Sequence, residues 1–387
     1  MDFELNEDMR LFRRQVRRWV DHEAPKSYAR ELEREERDYP FGLWDKFTQA
    51  GYHGLSVPEE YGGQGGDIIA QMVLARELCR SLGGLSWVWG LTSFAGSKSI
   101  GIYGSEDQKE RFLPAIASGE LRFSIGFTEP GGGTDVLGAM RTRAIKDDGG
   151  WRITGTKTWC SSAHVADYIL LLARTDETVH KRHDGVSLFL LPARSPGVQI
   201  SELPKLGMRA MGSCQVHMRD TFVPDELVLG TPGKAWYMLL PTLNNERVMV
   251  GAFCVGILDG VLEDALDYAK HREAFGRPIG QFQVLQHYIA DIAMMRDQAE
   301  LMVFRAAKLL SEQKPCHLEA SMAKVIASDY AVRAADLGIQ ILGGMGYSAD
   351  TDMQRYWRDA RLWQIGPITN EMARNTIAEQ LGLPRSF

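Results

Sequence analysis

The sequence has few cysteines, no long apolar run and no excess of basic charge. Its five cysteines are an odd number and include no CxxC pair, which disfavours a disulfide framework or a zinc knuckle. The longest apolar run, around Tyr168–Ala173, is far shorter than the roughly 20 residues that span a bilayer. The acidic start MDFELNEDMR also differs from a secretory signal peptide. We therefore expect a cytoplasmic protein with no membrane partner.

The charge balance excludes a second group of functions. Lys and Arg number 44 and Asp and Glu number 50, which gives a net charge of −6 at pH 7. A chain with this balance is poorly suited to neutralising nucleic-acid phosphates, so no nucleic-acid partner is expected. The length of 387 residues allows two or three packed units.

Hydrophobic spacing divides the chain into three zones. Residues 1–120 have helical spacing, residues 121–231 contain short segments rich in β-branched and aromatic residues, and residues 232–387 return to helical spacing. Strands are predicted at 168–172, 186–191 and 215–218. Long helices are predicted at 245–271, 281–312 and 317–342. The order of helices, strands and helices, without regular βαβ alternation, disfavours a Rossmann sheet and predicts an α+β fold whose C-terminal domain is a helical bundle.

Two motifs in the central zone are suited to a flat ligand. In FTEPGGGTDV, residues 127–136, three glycines allow close backbone approach and Thr128 and Thr134 offer hydroxyls. An ordinary glycine turn is the alternative. In KTWCSS, Trp159 and Ser161 lie two residues apart, which places them on one face of a regular strand. Trp159 could equally be a core residue.

Glu246 is the candidate base. Counting helically from it gives Met249, Val250 and Phe253, so its carboxyl points along an apolar helix face, where desolvation raises a pKa. The alternative is a glutamate near a helix start, capped by one of the two preceding asparagines and stabilised by the helix dipole.

Three further motifs are weaker. In HREAFGRPIGQFQ a helix is predicted to end at Gly276 and Pro278 and another to start near Gln281, and its arginines suit either a helix C-terminus or a phosphate. QILGGMGY is a glycine loop after a long helix, suited to close approach by a ligand or another subunit. The HxxH pair in TVHKRHDG has no third ligand nearby and is interpreted as a solvated loop, so no metal site is expected.

Taken together, these segments resemble the acyl-CoA dehydrogenase family of flavoproteins over nearly the whole chain. The motifs that carry the resemblance are PEEYGG, YGSEDQKERFLP, TEPGGGTDV, KTWCSS, REAFGRPIGQFQ, QILGGMGY and WRDAR. The resemblance implies an N-terminal helical domain, a central β-barrel-like domain and a C-terminal four-helix bundle, with FAD as cofactor.

The resemblance also implies site residues. The central-domain positions that match flavin contacts are Phe127, Thr128, Gly133, Thr134, Trp159 and Ser161. The positions that match contacts from a neighbouring subunit are Arg272, Phe275, Gln283, Gln340, Gly343 and Gly344. Thr369 matches a further flavin contact, Thr134 also matches a substrate contact, and Arg247 is expected beside the substrate. A homo-oligomer, either a tetramer or a dimer, is therefore expected.

One position departs from the family. Many members keep the catalytic glutamate in a Tyr-Glu-Gly-Thr motif, where this chain has Pro367, which has neither an ionisable side chain nor a backbone N–H to bind the thioester carbonyl. Members similar to the isovaleryl- and long-chain-type enzymes place the base where Glu246 stands. Glu371, four residues past Pro367, is the fallback base.

The resemblance implies α,β-dehydrogenation of an acyl-CoA to the trans-2-enoyl-CoA, with hydride transfer to flavin N5 and electron-transfer flavoprotein as electron acceptor. The alternatives are an acyl-CoA oxidase or reductase, a dehydrogenase of carrier-protein-tethered acyl groups, and a non-catalytic binder of nucleic acid or a partner. The stretch 85–93 is expected near the acyl pocket and has no arginine, which disfavours an ω-carboxylate substrate. Trp87 and Trp89 either shorten that pocket or pack in the core.

Overall fold

The computed structural model describes residues 4–385 and has the predicted order of helices, strands and helices. The N-terminal helices are α1 Glu7–Glu23, α2 Lys26–Arg34, α3 Phe41–Gln49, α4 Ile68–Leu82, α5 Trp87–Thr92, α6 Ser99–Tyr103 and α7 Glu106–Ala117. A π-helical turn, Ser93–Lys98, joins α5 to α6. Sequence-local caps fix several starts: Asp67 accepts hydrogen bonds from the first turn of α4, and Ser105 with Gln108 forms a capping box on α7.

The central region is one eight-stranded sheet. Its strands are β1 Phe123–Gly126, β2 Arg143–Asp147, β3 Gly150–Ser161, β4 Tyr168–Arg174, β5 Val186–Pro192, β6 Val198–Glu202, β7 Ser213–Pro224 and β8 Val228–Leu229. They pair in the order β6-β7-β3-β2-β4-β5-β8, and β1 adds to β4 in parallel. The strands predicted at 168–172, 186–191 and 215–218 lie within β4, β5 and β7. The predicted HxxH loop connects β4 to β5.

The C-terminal region is built on long helices. Its elements are α8 Ala235–His271, β9 Glu273–Ala274, β10 Arg277–Pro278, α9 Gln283–Ser311, α10 His317–Leu342, α11 Gly344–Tyr347, α12 Met353–Leu362 and α13 Asn370–Gln380. The helices α8, α9 and α10 pack on one another, and α13 packs on α10. This arrangement confirms the α+β class and the helical C-terminal domain.

Two predicted helix boundaries in this region are wrong. The helix predicted at 245–271 begins ten residues earlier, at Ala235, so Glu246 lies well inside α8 and the capped-start interpretation fails. Asn244 does not cap a helix, because its side chain contacts Arg247 and His317 instead. The same helix ends at His271, and Gly276, with a φ of 75°, is the turn of the β9–β10 hairpin rather than a helix end.

The N-terminal helices and the bundle share one hydrophobic core, centred where α4 packs against α8. A Cβ atom at Gly256 of α8 would lie 2.2 Å from the backbone oxygen of Arg76, so glycine is needed for this close approach. The buried Arg76 guanidinium lies 2.6 Å from a carboxylate oxygen of Asp259 on α8 and also binds Glu300 on α9. These contacts fix the two surfaces that enclose the pocket described next. Within residues 4–385 no helix combines the length and apolar character needed to cross a membrane.

Candidate active site

Glu246 lies at a small pocket between α8 and the α4–α6 region. Its side chain is buried, with 8% of the residue exposed. The free space in this pocket is narrow, about 10 Å³, which is room for about one water molecule. Its other lining residues are Gln71, Trp87, Trp89, Gly90, Ser93, Phe94, Asn245, Met249 and Phe253. The helical count from Glu246 is confirmed for Met249 and Phe253, which continue the same face of α8.

Burial changes the acidity of this carboxyl. Loss of hydration raises the pKa of Glu246 from its ordinary value of 4.5 to about 7, against the opposing positive charges of Arg247 and Lys324. Within the described part of the chain no hydrogen bond reaches the carboxyl group. A carboxyl with a pKa near neutral, free of bonded partners and facing a pocket, has the properties of a general base.

Trp87 and Trp89 pack in the core and also line the pocket, so both roles that the sequence left open apply. Trp89 is 1% exposed and its indole N–H donates to the Tyr52 carbonyl at 2.9 Å, so it is a core residue whose ring also borders the pocket. Trp87 meets the ring of Phe253 edge to face, with 5.6 Å between centroids. Packed aromatic walls of this kind limit the depth of the pocket and exclude water from it.

Arg247 points away from this pocket. Its guanidinium is buried and its Nη1 lies 3.1 Å from the Asn244 side-chain oxygen and 3.0 Å from His317 Nδ1. Burial lowers the pKa of Arg247. Arg247 is therefore not among the lining residues of the pocket, and it acts on Glu246 by its positive charge.

The glycine loop and the KTWCSS segment lie together. The Thr158 amide donates to the Thr128 carbonyl at 2.9 Å, and the buried Lys157 ammonium donates to the Phe127 carbonyl at 3.0 Å and to Glu129 at 2.9 Å. The sequence analysis did not identify the Lys157–Glu129 pair, although both residues stand within the two motifs. This pair ties the loop to the strand, so the two motifs form one surface.

The strand-face argument for Trp159 fails. A register shift occurs between Lys157 and Cys160 of β3, and Trp159 has a φ of 59°, outside the range of a strand. Because the bulge interrupts the alternation of faces, the two-residue spacing to Ser161 does not place both side chains on one regular face. Trp159 is 58% exposed, so the core interpretation is also wrong.

The surface beside this indole has room for a flat group. Gly133 and Thr134 are exposed, and a Cβ atom at Gly133 would meet nothing within 4 Å. Phe127, Thr128 and Ser161 are half-buried, and the Ser162 hydroxyl is buried without a hydrogen-bond partner in the described chain. An exposed aromatic ring, open glycine backbone and nearby hydroxyl groups fit a heteroaromatic cofactor such as a flavin.

The remaining predicted cofactor residues lie apart from the pocket. Arg272, Gln283, Gln340, Gly343 and Gly344 are exposed, and none of them lines the Glu246 pocket. Phe275, at the hairpin turn, is 94% exposed with a φ of 54°. Among the described residues it is the most exposed large hydrophobic side chain. Thr369 is half-buried and caps α13 by accepting the Met372 amide at 3.2 Å.

Lys324 is a buried cation that the sequence analysis missed. Its ammonium, on α10, donates at 2.6 Å both to the Ile368 carbonyl and to the side-chain oxygen of Asn370. Burial lowers its pKa to about 8. Lys324 therefore holds the segment around Pro367 against the bundle. In the sequence, the feature that could have indicated this buried cation is a lysine among the alanines of α10.

The fallback base is placed less favourably. Glu371 is exposed in the first turn of α13, where a carboxylate interacts favourably with the helix dipole.

In the described residues, one set of side chains has spacing compatible with a metal ion, namely Asp38, His164 and Glu202, and two of these are exposed. The sequence analysis did not identify this set, and it does not include the HxxH histidines.

Comparison with known proteins identifies the class. The acyl-CoA dehydrogenase N-terminal, middle and C-terminal domain models match residues 6–120, 124–221 and 233–382. A probable acyl-CoA dehydrogenase of Bacillus subtilis, YngJ, is 35% identical over 98% of this chain and 100% of its own length. The chain therefore belongs to the acyl-CoA dehydrogenase family of oxidoreductases.

Solved structures agree. Butyryl-CoA dehydrogenase from Megasphaera elsdenii is similar with a TM-score of 0.93 and 31% identity, over 98% of this chain and 100% of that one. The prolyl acyl carrier protein oxidase AnaB is similar with a TM-score of 0.91 and 26% identity, over 98% of this chain and all of its own. PigA, solved with FAD and proline, has a TM-score of 0.93 and 26% identity, over 99% and 100% of the two chains. FAD is the cofactor of this family, which agrees with the open surface beside Trp159.

Proposed function

We propose that this chain catalyses the α,β-dehydrogenation of an acyl thioester, with acyl-CoA as substrate and Glu246 as the base that removes the α-proton. The observation that carries the proposal is the burial of this carboxyl at a pocket, with its pKa raised to about 7 by desolvation. Near pH 7 such a group is present in both forms, which suits a proton transfer in either direction.

The cofactor contacts are proposed on the surface formed by the two central motifs. Phe127, Thr128, Gly133, Thr134, Trp159 and Ser161 hold the flavin ring of FAD, with Thr134 also facing the substrate. Bound FAD supplies the acceptor, at its N5 atom, for the hydride that leaves the β-carbon. The support is the exposure of the indole and the open space at the glycines.

A second copy of the chain completes the cofactor site in this proposal. Arg272, Phe275, Gln283, Gln340, Gly343 and Gly344 contact the remainder of the FAD of a neighbouring subunit, and Thr369 adds a contact. All but Thr369 are exposed, and the bare ring of Phe275 supports burial in an assembly. A homo-oligomer, dimer or tetramer, follows.

The work of this chain during the reaction is to position the proton acceptor and to exclude water. Trp87, Trp89 and Phe253 wall the pocket, so the charge that develops on the thioester carbonyl is not shielded by solvent. Pro367 has no N–H to bind that carbonyl, and the Lys324 contacts hold the adjacent backbone in place. Arg247 supports the carboxylate form of Glu246 electrostatically.

Substitution of the base tests the proposal. Glu246→Gln preserves size and removes the proton acceptor, so the purified variant is expected to retain FAD but to lose bleaching of the flavin by acyl-CoA under anaerobic conditions. The matched control is Glu371→Gln, which removes the exposed carboxyl and is expected to leave bleaching intact. Retained bleaching in Glu246→Gln would remove Glu246 from the role of base, and loss of bleaching in Glu371→Gln alone would transfer that role to Glu371.

The electron acceptor and the carrier of the acyl group form the second question. We propose electron-transfer flavoprotein as acceptor. The likeness to AnaB, described as a prolyl acyl carrier protein oxidase, favours one alternative, an oxidase that takes acyl groups from a carrier protein. Oxygen consumption during turnover, measured with acyl-CoA and with an acyl carrier protein, separates the dehydrogenase from the oxidase.

Two further expectations stay predictions. They are the division into domains at 1–120, 121–231 and 232–387 and the cytoplasmic location.

A further inference from the structure

One carboxylate holds both ends of the loop formed by residues 130–140, which we call the cofactor loop. Glu129 stands directly before this loop and is 7% exposed. Its Oε2 accepts the Arg141 amide at 2.7 Å and its Oε1 accepts the Thr142 amide at 2.9 Å, where the chain leaves the loop for β2. The start and the end of the cofactor loop are therefore joined at a single side chain.

The same carboxylate is held by a buried cation on β3. Lys157 is 0% exposed, and its ammonium donates to Glu129 Oε1 at 2.9 Å and to the Phe127 carbonyl at 3.0 Å. Trp159, whose positive φ marks the bulge of β3, follows two residues later. One ammonium thus joins the ends of the cofactor loop to the strand segment that carries the exposed indole.

The glycine half of the cofactor loop is positioned from Glu129. In the described chain a Cβ atom at Gly131 or Gly133 would meet nothing within 4 Å, so no packed neighbours fix the backbone there. The Gly132 amide donates to the Glu129 carbonyl at 3.0 Å. The other half has an anchor of its own, because the Leu137 carbonyl accepts a bond of 3.3 Å from an arginine of β4.

A buried ion pair of this kind contributes little net stability. The attraction between the two charges is offset by the hydration that both lose, and well-packed apolar side chains often serve as well. An ammonium differs from an apolar side chain because it must lie within hydrogen-bond reach of each oxygen that it binds. The pair of Lys157 and Glu129 therefore restricts where the bonded groups can lie.

We propose that Lys157 is a positioning residue for FAD: through Glu129 and the Phe127 carbonyl, its ammonium sets the place of the cofactor loop relative to Trp159, and so the affinity for the cofactor. Because Lys157 is fully buried, it acts through these groups and does not itself contact FAD. The inference rests on the proposed function for the flavin surface at Gly133 and Trp159.

FAD affinity tests the inference without turnover. The FAD-loaded enzyme is diluted in steps, the released flavin is measured by its fluorescence, and circular dichroism reports whether the protein remains folded. Lys157→Met removes the ammonium and keeps an unbranched side chain. It is expected to weaken FAD binding roughly 10- to 100-fold, the loss typical when a residue that supports a ligand contact is removed, while the protein stays folded.

A double variant covers the case in which the single variant does not fold. Lys157→Met leaves Glu129 as a buried charge without its counterion, which is destabilising. Lys157→Met combined with Glu129→Gln removes both charges and is expected to fold, yet still to bind FAD weakly, because the tie to the loop is absent. The control Arg358→Met removes a buried cation that binds Glu33 at 2.6 Å, and is expected to leave FAD affinity unchanged.

Folded Lys157→Met protein that binds FAD as tightly as the wild type overturns the inference, and so does wild-type affinity in the double variant. An equal loss of affinity in Arg358→Met also overturns it, since any buried ion pair would then have the same effect. The proposed flavin surface fails separately, if Trp159→Ala leaves FAD affinity unchanged. Weaker binding in Trp159→Ala with none in Lys157→Met leaves that surface standing and removes only the inference.

Discussion

The desolvated carboxyl of Glu246 predicts that the proposed base destabilises the protein. The carboxyl is buried and makes no hydrogen bond within the described chain, so its ionised form loses hydration without compensation. Replacing it by glutamine, which stays neutral, is therefore expected to increase the free energy of unfolding at neutral and alkaline pH.

The magnitude follows from the two pKa values. They are about 7 in the folded chain and 4.5 ordinarily, and the difference corresponds to about 3 kcal/mol at 1.36 kcal/mol for each pKa unit. Below pH 4.5 the carboxyl is protonated in both the folded and unfolded chains, so its burial as a charge does not lower the free energy of unfolding. Between pH 4.5 and 7 the unfolded chain releases its proton first, so the stability of the wild type falls relative to the variant as the pH rises. Above pH 7 the difference in the free energy of unfolding between the variant and the wild type reaches its full value.

Urea unfolding of the FAD-loaded wild type and Glu246→Gln, measured between pH 5 and 8 at equal FAD concentration, tests this expectation. The stability advantage of the variant is expected to grow by about 2 to 3 kcal/mol across that range. Glu371→Gln controls for the loss of one negative charge at an exposed position. A difference that stays flat with pH, or a variant that becomes less stable than the wild type at pH 8, would refute the claim that this carboxyl is desolvated.

Two other variants test the segment and the surface beside the site. Lys324→Met leaves the Ile368 carbonyl near Pro367 unpaired and leaves the Asn370 oxygen with only the Ser328 hydroxyl, so it is expected to lower the free energy of unfolding by roughly 1–3 kcal/mol. The exposed Lys270→Met is expected to change it little, and equal effects in urea unfolding would contradict the role of Lys324. Phe275→Ser removes the most exposed aromatic ring of residues 4–385 and is expected to weaken assembly and FAD retention, measured by sedimentation and by absorbance after gel filtration. Leu11→Ser, at another exposed apolar position, is the control, and an unchanged assembly in Phe275→Ser would show that this ring does not lie in an interface.

The periodicity of the sequence predicted most of the architecture because the relevant signals are local. Alternating and helical spacings decide which face of an element is apolar, and they located β4, β5, α9 and α10 to within a few residues. The start of α8 was missed by ten residues, and the helix end predicted at Gly276 was wrong, although the predicted range 245–271 ends at the observed residue, His271. Asn244 and Asn245 resemble caps in sequence, but one contacts His317 and the other faces the pocket, and these are tertiary contacts.

The same limit applies to the cofactor surface. The motifs were recognisable, and their proximity could be expected, but the bulge at Trp159 is invisible in the sequence. A single inserted residue changes which side chains share a face, and it depends on pairing with β7.

The sequence by itself determined that a glutamate stands on an apolar helix face, among the motifs of its family. Only the tertiary structure decided the acidity of that glutamate. The packing of α4 and α5 against α8 removed its water, raised its pKa to about 7 and left Asn245 unpaired beside it. Desolvation depends on atoms brought together from distant parts of the chain, so no local pattern encodes its magnitude.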